Sequence, residues 1–158
     1  MKHFSNVRIL IAGVVMLLVA LTAAAVERPF ACHGNGSAVF ITNSAGQITG
    51  ANLTASGTAT HLGMWTAVGA VQFAPDPSDP TKAIVTGGST FTAANGDKLE
   101  TVIANGTLDA TTGVGIGVVR FVGGTGRFAA ASGSANIVVT QNLATGAFEL
   151  TEVGTIDF

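Results

Sequence analysis

Ala147-Phe148-Glu149-Leu150-Thr151-Glu152-Val153-Gly154-Thr155-Ile156-Asp157-Phe158 closes the chain with an alternation that decides the fold. Phe148, Leu150, Ile156 and Phe158 fall on one face of an extended backbone, and Glu149, Thr151, Thr155 and Asp157 fall on the other. A period of two marks a half-buried strand, because successive side chains of a pleated chain point to opposite sides. There is little sign of a helical period of 3.6 in the chain after Val26, which is rich in Thr, Val, Ile, Phe and Gly.

Working back from this strand, turn signals cut the chain into similar segments. Asn142 to Gly146 separates 127–141 from 147–158, and Thr111-Thr112-Gly113 introduces 114–122. Asn95-Gly96, a strong hairpin signal, separates 84–93 from 98–108, and Asn43-Ser44-Ala45-Gly46 separates 37–42 from 48–60. With 64–73 the count reaches eight strands. Ala74 to Pro80 carries three prolines, which cannot donate to a sheet ladder, so it is an exposed loop. Eight antiparallel strands either close or leave two edges bare. An all-β, eight-stranded antiparallel closed barrel is expected, with a β-sandwich as the alternative; strand glycines such as Gly69, Gly87, Gly88, Gly115 and Gly117 favour the barrel by allowing the bending that closure needs.

The chain begins differently. Lys2 and Arg8 precede an apolar run from Ile9 to Leu21, followed by small residues with Ala23 and Ala25 at the positions a signal peptidase reads. Residues 1–25 are expected to be a signal peptide cleaved before Val26, and 26–158 a single barrel domain, secreted or periplasmic. An uncleaved anchor is the competing reading, but the run falls short of the roughly 20 apolar residues that span a bilayer, so no stable membrane insertion is expected after cleavage.

The remaining 133 residues carry five basic and nine acidic side chains, a net charge of −4 that argues against a nucleic-acid partner. Cys32 stands alone, so no internal disulfide forms, and its setting after Pro29 lacks the pattern of a lipid attachment site. It reads as a small half-buried thiol. Cys32, His33 and His61 make no metal-ligand spacing; no metal and no cofactor is expected, and His61 reads as a structural or rim histidine.

Gly123-Gly124-Thr125-Gly126-Arg127-Phe128-Ala129-Ala130-Ala131-Ser132-Gly133 reads G-G-T-G-x-F-x-x-A-x-G between two strand-like runs. Gly123, Gly124 and Gly126 permit a tight corner, and Phe128 is expected to begin the next strand as a core anchor. It is no phosphate cradle, since neither the Lys nor the helix of one follows. The stretch resembles the corresponding part of dirigent proteins and, more broadly, of allene oxide cyclase-like barrels, and the likeness extends from about Phe91 to the end. Thr58-Ala59-Thr60-His61-Leu62-Gly63 is similar to a recurring segment of exported bacterial barrels of unassigned role. The resemblance implies an eight-stranded barrel, commonly a trimer, with a central cavity for a small apolar or aromatic molecule. No catalytic position of those families matches a residue here.

Three residues are candidates for lining such a cavity. Glu152 shares the face of Phe148, Leu150 and Ile156, and Arg120 shares that of Val114, Ile116, Val118 and Val122. The two either pair inside the barrel or reach water through a bulge or a rim. Trp65 suits a cavity mouth, or is a plain core or interface aromatic. Strands apolar on both faces and a charged fraction of only 10% predict self-association, as a trimer. Three functions of different class fit: a module binding a small hydrophobic ligand, an enzyme of the dirigent or cyclase kind, and a structural protein with a filled barrel.

Overall fold

The computed structural model describes residues 26–158; the expected signal peptide, 1–25, lies outside the described residues. Eight strands follow in order: β1 Arg28–Thr42, β2 Ile48–Ala59, β3 Gly63–Pro75, β4 Lys82–Ala93, β5 Lys98–Asp109, β6 Val114–Gly124, β7 Ser132–Gln141 and β8 Ala147–Asp157, with one short 3-10 turn, Gly126–Phe128. Each pairs antiparallel with the next and β8 pairs with β1, so the sheet closes and leaves no edge. The closed barrel, not the sandwich, is the fold.

Two boundaries differ from the sequence expectation by more than two residues. β1 begins nine residues earlier than 37, because Phe30, Cys32, Gly34 and Gly36 also alternate inward. Two of these are glycines, which hide the apolar period. Neither has room for a side chain: a Cβ on Gly34 would stand 2.5 Å from the Trp65 ring and 2.6 Å from the Ser56 carbonyl oxygen, and one on Gly36 would collide with the Thr54 carbonyl oxygen and the Phe148 ring. The second difference is at β7. Phe128 does not open that strand; the chain coils first through the 3-10 turn, and β7 starts at Ser132.

The Gly-rich corner builds this turn. Thr125 donates its backbone N–H to the Lys98 carbonyl at 2.8 Å and accepts the Lys98 N–H on its hydroxyl at 2.9 Å, locking the corner onto β5. Gly126 sits at φ 58° against the Asp97 carboxylate, where a Cβ would collide. Phe128 is then aimed into the barrel end and is 0% exposed.

Phe128, with Phe30, Leu62, Trp65, Phe121 and Ile156, packs this end solid. Phe30 meets Phe121 at 4.7 Å between ring centroids, and Trp65 meets Phe91 at 4.8 Å. Outside the plug, Arg28 lies 4.5 Å over Phe158 and Arg127 lies 4.9 Å over Phe128. The opposite end carries the loops 43–47, 76–81, 110–113 and 142–146, and there the interior is different: inward side chains such as Leu53, Phe73, Val85 and Val139 stay only half-buried.

Candidate functional site

That half-burial reflects a cavity of about 130 Å³ in the loop-end half of the barrel, lined by Leu53, Val71, Phe73, Val85, Ile103, Leu108, Val139, Phe148 and Leu150 among others. Glycines on inward positions hollow it. Gly69, Gly106 and Gly115 all line the space and contribute no side chain to fill it.

β8 gives the cavity its polarity by depth. Phe148 and Leu150 lie on its wall and Glu152 lies next along the same row, before the plug residue Ile156. Glu152 is thus about 13 Å further along the strand than Phe148, at ~3.3 Å per residue. It is 2% exposed and its Oε2 has no hydrogen-bond partner. Burial pushes its carboxyl up from 4.5 to about 7, since the charged form is poorly solvated there. At neutral pH a large share of Glu152 is a neutral acid, able to donate a hydrogen bond.

Its neighbours across the ladders are Cys32 on β1 and Ile137 on β7. Cys32 is buried, and burial first, then the Glu152 carboxylate, pushes its thiol pKa far up, with the Trp65 N–H opposing. This thiol is an un-ionised spectator rather than a nucleophile. The Trp65 N–H approaches the sulfur without the geometry of a hydrogen bond and has no other partner. Trp65 belongs to the plug and is not among the cavity-lining residues; its place at a cavity mouth is corrected to the barrel's solid end.

Arg120 is corrected more sharply. It is exposed on the outer wall, level with Val102 and Ser134, and forms no pair with Glu152. The inner row of β6 is Gly115, Gly117, Val119 and Phe121, so the greasier row, Val114 to Val122, faces out. Two register shifts between β5 and β6 accompany this inversion. His61 sits at the plugged rim at φ 67°, donating from Nε2 to the Pro29 carbonyl at 3.0 Å when that nitrogen carries the proton. Gly123, Gly124, Thr125, Gly126 and Phe128 form the plug corner and stay clear of the cavity.

Sequence reasoning passed over four polar groups in the lining: Ser89, Thr101, Thr107 and Gln141. Thr101 donates its hydroxyl to the Ser89 carbonyl at 3.2 Å. The signal was there in β5, where Thr101 shares a row with Leu99 and Ile103. Among the described residues no group of three or more His, Cys, Asp or Glu side chains is arranged to hold a metal ion.

No family model and no curated protein matches the chain. Among solved structures, the fold is similar to that of a pterocarpan synthase dirigent protein, with a TM-score of 0.51 and 15% identity over 84% of this chain and 94% of that one. At that identity the likeness shows a dirigent-like barrel fold, and function has to be argued from the site.

Proposed function

We propose that the protein is an exported binding barrel that takes one small hydrophobic or aromatic molecule into the cavity above Glu152, and that it works as a homotrimer. The observation that carries this reading is the hollow itself: an apolar chamber whose deepest polar group is a single unpartnered carboxyl. Ligand sites are typically apolar clefts with a few placed polar groups. A cavity of about 150 Å³ lined by aliphatic and aromatic groups accepts benzene, so one ring fits the scale of this one.

Native mass spectrometry of the protein purified from its source, followed by titration with toluene, tests the reading. A bound small molecule, or saturable toluene binding lost in Val139→Phe, is the expected result. An empty barrel that takes up no toluene overturns it.

A second reading rests on Glu152 alone. A carboxyl held neutral at the floor of a dry cavity can hand a proton to a reactive intermediate, so an enzyme that steers such an intermediate is supported by the same geometry. Glu152→Gln then abolishes turnover and leaves binding intact; unchanged turnover removes the reading.

A further inference from the structure

We infer that the cavity selects its ligand by charge: it takes a small apolar molecule that carries a basic nitrogen at the end entering first, and it rejects carboxylates. This rests on the binding reading above and narrows its ligand class.

Two observations point the same way. The first is the missing counter-charge. Glu152 lines the cavity, is almost fully buried, and has an oxygen without a partner. Among the described residues, Cys32 on β1 is the titratable group that faces it. Its β7 neighbour is the apolar Ile137, the lining from β2 to β6 holds no charged side chain, and Arg120 is outside. A ligand ammonium would supply the cation that the fold withholds, as a charge-assisted hydrogen bond in a medium with little water to weaken it. A ligand carboxylate would meet a like charge or force an extra proton into the site.

The second observation is the entrance. The lining reaches the loop end through Phe73, Leu108 and Gln141, and the loops and strand ends there carry Asp76, Asp79 and Asp109 against one cation, Lys82. Hydroxyl and backbone N–H donors from Ser78 and Thr111 hold Asp76 and Asp109 below the usual carboxylate range. Bonds from Thr81 and Lys82 bring Asp79 to about 2. All three are charged at neutral pH, and the field at the mouth is negative. Cations are drawn toward such a rim and anions are turned away, in a manner that added salt weakens.

The experiment compares four molecules of one ring and nearly one size: benzylamine, benzyl alcohol, toluene and benzoate, titrated calorimetrically into the full mature protein. At pH 8, benzylamine is expected to bind at least about tenfold tighter than benzyl alcohol, the scale of a charge-assisted over a neutral hydrogen bond, and benzoate not at all. Glu152→Gln should erase the preference of benzylamine over benzyl alcohol. Wild-type protein provides a check that needs no variant. At pH 7, pairing with an ammonium ionises the protonated share of Glu152, so heats measured in buffers of different ionisation enthalpy should show proton release on benzylamine binding; toluene should release none. Toluene binding with no amine preference overturns charge selection while the binding barrel stands. Failure of all four probes to bind overturns both.

Discussion

Glu152 ties the site to the stability of the whole chain. Its carboxyl titrates at about 7 in the folded protein against an ordinary value of 4.5. Below the lower value both states are protonated and the group is neutral to stability. Between the two, the unfolded chain ionises and the folded one does not, so the folded state holds the extra proton and stability falls as pH rises, by up to ~1.4 kcal/mol per pH unit. Above pH 7 the loss is complete and the slope levels. Glu152→Gln is expected to flatten denaturation midpoints between pH 5 and 7, and to exceed wild type at pH 8 by about 2–3 kcal/mol; a wild-type curve with no decline in that window would mean the carboxyl is solvated. The inward face of Glu152 was legible from the alternation of the last twelve residues, since β8 has no bulge. Its isolation was not, because the partner suggested for it, Arg120, depended on the parity of β6. A strand whose inner row begins with two glycines looks inside out when only apolar side chains are counted.

Strands and their corners were legible in unequal measure. The eight segments, their order and most turns follow from period and turn chemistry, while β1 was truncated because Gly34 and Gly36 carry no hydrophobic signal. Gly34 makes room for Trp65 and Gly36 for Phe148, contacts between strands that no local pattern encodes. The corner from Gly123 to Phe128 was visible as a corner, but its role as the barrel's stopper was not. Phe128→Ala removes a fully buried ring from that stopper, and an unfolding free energy lower by ~3–5 kcal/mol is expected from denaturant titration. One of the cavity's glycines, Gly115, predicts the opposite sign. A Cβ on Gly115 would rest at ordinary contact, 3.6 Å from Leu108 Cδ1 and Val139 Cβ. Gly115→Ala should therefore stabilise the barrel by about 0.5–1 kcal/mol, and it should weaken toluene binding by narrowing the cavity. A destabilised Gly115→Ala would show that the wall there has no room to spare.

At the scale of the molecule, the inverted parity of β6 changes what the outer wall must do. Ile116 is 57% exposed, its direct ladder partner Val138 is 47% exposed, and Val153, diagonal to Val138 on β8, is 57% exposed. With Val114 beside them these residues form an outward apolar surface spanning β6, β7 and β8, flanked by Asn136, Thr140 and Thr151. Singly exposed aliphatics are ordinary on any protein, whereas adjacent ones spread over three strands suit a surface that another copy covers. The closed sheet rules out association by edge pairing, so copies have to meet through side chains on the barrel faces. A trimer joined there would leave both the loop-end mouth and the plugged end free. Sedimentation velocity on the mature protein at micromolar concentration is expected to give a trimer. Val138→Asp puts a charge in the middle of the apolar surface without touching the interior, so it should yield a monomer with an unchanged far-UV circular dichroism spectrum and unchanged toluene affinity. A wild-type monomer would show that these strands tolerate water. A Val138→Asp trimer would place the interface on the outer face of β1 to β4, where Val39, Met64 and Val68 are exposed, instead.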